Sequence, residues 1–186
     1  KLTVQEIHLD TITSFIMTDG ELLCYGNFYC FGGIDIDGGI VDVDGDFNFY
    51  SNSTSYVTNG NIKVAGNWNS SSAPLVGFSG GTLSMDGSAS QTLAMDQNIF
   101  LNNLTIASSN SVVTAENDLN IKGDLVINLE GNFDIGSQNA NLTLEGNFIN
   151  SGTFASSGEN ITFSGSSTVT SAGISDASLD VVVNKT

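Results

Sequence analysis

Apolar and polar residues alternate along this chain in short runs, the period of a strand with one buried face. Ile34-Asp35-Ile36-Asp37 alternates strictly, and Val41-Asp42-Val43-Asp44 does so again after Gly38-Gly39. Phe47-Asn48-Phe49, Leu104-Thr105-Ile106, Leu142-Thr143-Leu144 and Ile161-Thr162-Phe163 repeat the pattern. Gly, Asn or Ser ends each run within a few residues, which is turn chemistry. The opening stretch from Leu2 to Phe15 fits either a strand or a short helix covering the N-terminal end.

The turns themselves recur. Gly followed by Asn or Asp and a large apolar residue stands at Gly26-Asn27-Phe28, Gly45-Asp46-Phe47 and Gly66-Asn67-Trp68. It returns at Gly123-Asp124-Leu125, Gly131-Asn132-Phe133 and Gly146-Asn147-Phe148. The first three are about 20 residues apart, one coil of a β-solenoid. Gly and Asn accept left-handed backbone angles at a corner. The aromatic after them is then expected to point inward and stack on its counterpart in the next coil.

A longer repeat overlays this one, with an offset of about 80 residues. Ile62 to Asn69 resembles Leu142 to Ile149, Gly81 to Ser88 resembles Glu159 to Ser166, and Asn103 to Ile106 resembles Asp180 to Val183. Residues 61–186 therefore read as two copies of one unit, continuous with an acidic, strand-rich capping region over 1–60. The predicted fold is all-β, a parallel β-solenoid with coils of about 20 residues. A β-sandwich or jelly roll of short, evenly spaced strands is the alternative. Internal repetition favours the solenoid, because each copy can bury its face only against a neighbour.

The order of these blocks resembles repeats in large surface proteins of Bacteroidetes-type bacteria. The matching elements are Gly146-Asn147-Phe148-Ile149-Asn150-Ser151-Gly152-Thr153-Phe154, then Ile161-Thr162-Phe163-Ser164-Gly165, and Asn103-Leu104-Thr105-Ile106 with its counterpart Val181-Val182-Val183-Asn184. The likeness spans roughly 61–186. It implies an adhesin-like β-helix, secreted or at the cell surface, and carries over no catalytic residue.

Composition narrows the partners. The chain has 186 residues with 21 glycines and a single proline, Pro74, and 40% of its residues are apolar. That is enough for a core. The formal net charge is −16, with 20 acidic residues against 4 scattered lysines and no arginine. Phosphate neutralisation needs clustered cations, so nucleic acid is not the expected partner. No stretch approaches the roughly 18 apolar residues of a membrane helix, so no membrane insertion is expected. Lys1 to Asp10 holds no leader-like apolar run, and the expectation of export rests on composition and on the resemblance. The remaining partners are a second copy of the chain, a glycan or a cell surface.

Three groups could carry chemistry. Asp35, Asp37, Asp42, Asp44 and Asp46 crowd one short stretch. If Gly38-Gly39 turns the chain, two acidic rows come side by side, and a hard cation such as Ca²⁺ would relieve their repulsion; the alternative is a solvated acidic face that protects sheet edges. Cys24 and Cys30 lie about 20 Å apart on a straight strand, too far to bond, but a turn at Gly26-Asn27 makes a disulfide feasible. Otherwise they are two small buried hydrophobes. The aromatics Tyr25, Phe28, Tyr29, Phe31, Phe47, Phe49 and Tyr50 form either a stacked core or a sugar platform. His8 is the only histidine, and neither a His-rich metal site nor a nucleophile elbow is present.

The function expected from all this is structural or adhesive, outside the cell and without catalysis. The alternatives are a self-assembling filament subunit, through strand donation or end-to-end stacking by a segment such as Leu179 to Val183, and a β-helix that binds or degrades polysaccharide.

Overall fold

A computed structural model describes residues 1–11, 13–50, 53–73, 76–157, 160–164 and 168–171, with the backbone of 174–175 and 180–184. The strands are parallel throughout and stack as a β-solenoid of about eight turns with about 21 residues per coil. At about 4.8 Å per turn the stack is about 40 Å long. The sandwich alternative is thereby excluded. The opening stretch resolves as three short strands, Leu2–Val4, Ile7–Leu9 and Ser14–Met17, with no helix.

Each coil runs through three faces. Face 1 includes Leu2–Val4, Glu21–Cys24, Thr82–Met85, Asn103–Ile106, Leu125–Ile127 and Phe148–Asn150 within an eleven-stranded sheet. Face 2 is a nine-stranded sheet from Ile7–Leu9 to Ile174–Ser175, and face 3 a five-stranded sheet from Phe100–Leu101 to Asp180–Asn184. In the N-terminal half, the long strands Gly33–Val43 and Thr54–Val64 bend and supply faces 3 and 1 together. Ser14–Met17 and Val76–Phe78 pair with their first halves, in the face 3 position.

The bend is built from glycine. Gly20, Gly39, Gly60 and Gly81 all have φ between +72° and +90° and stack as one column. A Cβ on Gly60 would lie 2.8 Å from the Gly39 carbonyl oxygen, and one on Gly81 would lie 2.7 Å from that of Gly60. Both the left-handed angle and the close coil spacing exclude other residues.

Alternation inside each strand puts one row into the core. Leu22, Val41, Ile62, Leu83, Leu104, Leu125 and Phe148 are in register on face 1 and buried. On face 2, Phe28 stacks on Phe47 at 4.4 Å and 10°, and Phe47 meets Trp68 at 5.0 Å. Such pairs add about 0.5–1.5 kcal/mol each beyond the area they bury. The inward, stacked aromatics expected after the Gly-Asx turns are therefore present.

Two expectations about the turns need correction. Gly26, Gly45 and Gly66 do mark one corner, between faces 1 and 2, in consecutive coils. Their backbones are not left-handed; a Cβ on Gly45 would lie 2.6 Å from the Gly26 carbonyl carbon, and one on Gly66 would lie 2.5 Å from that of Gly45. Close coil stacking selects glycine there. The later motifs divide, Gly131 lying before face 2 and Gly123 and Gly146 before face 1. The offset near 80 thus aligns a face 1 strand, Ile62 to Val64, with a face 3 strand, Leu142–Leu144. It is not a whole number of coils, so the two matched copies are displaced by one face. Residue 60 falls inside strand Thr54–Val64, and the sheets run on across it.

Candidate functional site

The acids of strand Gly33–Val43 sit on its outward positions. Asp35 and Asp37 precede the bend on face 3, Asp42 follows it on face 1, and Asp44 and Asp46 lie at the next corner. Gly38-Gly39 bends the strand from one face to the next instead of folding it back. The two acidic rows therefore do not come side by side. Asp37 accepts a hydrogen bond from Thr58 Oγ1 at 2.7 Å, and Asp46 Oδ1 accepts the Asn67 backbone N–H at 2.7 Å. Asp42 is in register with Lys63. Burial pushes its carboxyl up, Lys63 opposes that, and Asp44 adds to it. Asp86 is raised in the same way, first by burial and then by Asp42, with Lys63 again opposing. Among the described residues no three Asp, Glu, His or Cys side chains converge as metal ligands would. The geometry expected of a calcium cluster is absent from this strand.

The cysteines are free and buried, so of the two readings the sequence left open the structure has the pair of small buried side chains and not the disulfide. Gly26-Asn27 does turn the chain, but as a solenoid corner, so Cys24 lies on face 1 and Cys30 on face 2. A hairpin would have placed them opposite each other. The Cys24 thiol donates to the Gly26 carbonyl at 3.5 Å and the Cys30 thiol to that of Gly32 at 3.5 Å. Burial raises both thiols above their ordinary value.

The aromatic group divides between core and surface. Phe28, Phe47 and Phe49 are core. Outside, Tyr29 stacks on His8 at 4.6 Å, Phe31 stacks on Tyr50 at 4.0 Å, and Tyr25 is exposed. His8 also lies 3.2 Å from Glu6.

Asn and Asp side chains at the corners are hydrogen-bonded from coil to coil, a role the sequence pattern did not disclose. Asn27 Oδ1 accepts the Asp46 N–H at 2.8 Å, Asp46 accepts that of Asn67, and Asn67 that of Thr92 at 2.7 Å. A second ladder runs Asn103, Asp124, Asn147 and Thr168, and a third Asp118, Asn141 and Asn160. Each Asn or Asp of the ladders directly precedes a strand's first inward apolar side chain, as in Asn27-Phe28, Asp124-Leu125 and Asn141-Leu142. That adjacency is the signal from which the ladders could have been found. Three of the six Asn-x-Ser/Thr sequons, at Asn103, Asn141 and Asn160, are ladder members, while those at Asn52 and Asn184 lie outside the described residues or side chains. Gln91 was also missed. It is buried, and its Nε2 donates to the Val64 carbonyl at 2.8 Å while its Oε1 accepts the Gly87 N–H at 3.0 Å.

Shallow grooves mark the outside. One of about 430 Å³ lies between faces 2 and 3 and holds Asp96, Glu116 and Asp118. Two of its carboxylates are engaged with their neighbours. Asp96 Oδ1 accepts the Asn98 N–H at 2.8 Å, and Asp118 Oδ1 accepts that of Asn141 at 2.8 Å. Two further grooves, of about 360 and 300 Å³, lie on face 3 and share Tyr56. No family model, no curated protein and no solved structure matches this chain.

Proposed function

We propose that this chain is a non-catalytic structural and adhesive β-solenoid displayed outside the cell. One observation carries the reading. Carboxylates and amides at the corners are engaged in coil-to-coil bonds, while the large side chains Ile16, Tyr56 and Phe100 of face 3 are exposed. Their exposures are 67%, 59% and 40%, and separated apolar groups set among polar ones suit a partner that has both an apolar face and a polar rim. The acidic surface and the pattern-level resemblance to bacterial surface repeats point the same way. The coil-stacked core makes a stiff spacer, which suits display.

The test is to treat intact producing cells with an external protease and label them with antibody to this chain. Labelling that protease removes supports the reading, and antigen that stays protected inside the cell overturns it. Release of reducing sugar from a polysaccharide panel would overturn the non-catalytic part. Filaments of purified protein in negative stain would shift the role to self-assembly, and dispersed short rods support a displayed module.

A further inference from the structure

Resting on the adhesive reading, we propose that face 3 binds an extended, β-linked polysaccharide chain lying parallel to the solenoid axis, with Tyr56 and Phe100 as stacking platforms. The first observation is Gly77. Every other described glycine has a left-handed φ or a backbone so close that a Cβ would press on it. Gly77 has neither; a Cβ there would find its nearest neighbours, the Ser55 carbonyl and Tyr56 Cδ1, only at 3.9 Å. Glycine weakens a strand, and one of its recurring uses there is to let a ligand approach the backbone closely. Here it opens a notch in strand Val76–Phe78, between the exposed rings of Tyr56 and Phe100.

The second observation is spacing. Tyr56 and Gly77 are in register on adjacent coils, and Phe100 lines the same groove one coil further on. Val76–Phe78 and Phe100–Leu101 lie side by side without pairing, and two coil steps at strand spacing are about 10 Å, the length of a disaccharide unit in an extended β-linked chain. Alternate sugars of such a chain present the same face, so each second ring meets a platform. The spacing continues in the other direction. Ile16, Asp35 and Tyr56 are in register on successive coils, and the groove beside them holds Thr13 and Thr54. Platforms at Ile16, Tyr56 and Phe100 thus alternate with the Asp35 carboxylate and the Gly77 notch. A pyranose has an apolar C–H face and a rim of hydroxyls, and this alternation offers partners for both.

Lys122 supplies a donor at the Phe100 end. Its Nζ lies 4.5 Å from the ring centroid, and it has no carboxylate partner among the described residues. Exposed cation–π contacts are weak, so a sugar can displace it or bond to it. A protein partner fits less well, because its contact core favours continuous apolar surface. Strand addition by a peptide needs an open edge, whereas Val76–Phe78 pairs with Thr54–Val64 on one side and has Phe100–Leu101 of the next coil close on the other.

The test is calorimetric titration with cellopentaose, an extended β-linked probe, and with maltopentaose, which is the same sugar in a curved chain. Cellopentaose is expected to bind, with maltopentaose about tenfold or more weaker. Tyr56→Ala and Phe100→Ala should each weaken binding about tenfold. Gly77→Leu should fill the notch and abolish binding while leaving the circular dichroism spectrum unchanged and the melting temperature no lower. Absence of cellopentaose binding, equal binding of both sugars, or a folded Gly77→Leu that binds like the wild type would each overturn the proposal. Surface labelling together with a null titration removes this site and leaves the adhesive reading standing; binding by a protein found only inside cells does the reverse.

Discussion

The Asp124 side chain holds Asn147 one coil away, and the next residue, Leu125, bonds back to it. Asp124 Oδ1 accepts the Asn147 backbone N–H at 2.7 Å and its Nδ2 at 2.9 Å. The Asn147 carbonyl in turn accepts the Leu125 N–H at 2.9 Å. The corner thus keeps its amides satisfied without the regular ladder of a strand, which a half-buried turn requires.

Removing that side chain should be felt, and replacing it isosterically should not. Asp124→Ala leaves the Asn147 N–H without its acceptor and is expected to lose about 1–3 kcal/mol. Asp124→Asn keeps an oxygen in place and should lose less than about 1 kcal/mol. Urea denaturation midpoints of the two variants decide this, and equal losses would mean that the charge matters more than the acceptor.

The aromatic stack should be the most sensitive part of the core. Phe47 lies between Phe28 at 4.4 Å and Trp68 at 5.0 Å and is fully buried. Phe47→Ala is expected to destabilise by about 3–5 kcal/mol, and Phe47→Leu by distinctly less. Both are measured by chemical denaturation.

Gly60 should tolerate no side chain. Its φ of +83° and the Gly39 carbonyl beneath it oppose Gly60→Ala by strain and by contact. The loss expected is about 1–3 kcal/mol. A variant that melts like the wild type would mean that the bend relaxes.

Asp86 should make the fold less stable as pH rises. Burial, aided by Asp42, holds its folded-state carboxyl above the ordinary carboxylate range, with Lys63 partly offsetting. The folded chain then binds the proton more tightly than the unfolded one. Its contribution is complete below the unfolded pKa and is lost as pH climbs through the folded value. Asp86→Asn should therefore melt higher than wild type at pH 7, and the gap should close below the ordinary carboxylate range. Lys63→Met should lower the melting temperature at pH 7 more than at acid pH. The group is only partly buried, so both effects are modest.

The two thiols should be silent until the chain unfolds. Free, buried and pushed up by burial, Cys24 and Cys30 are expected to react with a thiol reagent only in denaturant. Melting should be the same with and without reductant. A drop under reductant would show that a bridge had formed.

Strand content, the coil length and the inward aromatics were legible in the sequence. Each follows from local rules: alternation with a period of two, turn residues between runs, and Gly-Asn-Phe recurring at coil spacing in Gly26-Asn27-Phe28 and its next two counterparts. What joins distant residues was not legible. Gly38-Gly39 reads equally well as a reversal or a bend, and only the stacked left-handed column Gly20, Gly39, Gly60 and Gly81 makes it a bend that separates Asp37 from Asp42 onto two faces. Gly26-Asn27 likewise turns the chain either way, and the direction decides whether Cys24 meets Cys30. The repeat near 80 residues is real as a pattern yet shifted by one face, because all three faces use the same strand-and-corner chemistry. The alignment of Ile16, Tyr56, Gly77 and Phe100 exists only once coils stack. A sequence specifies which residues point outward from a strand, whereas coil length and register decide which of them stand side by side.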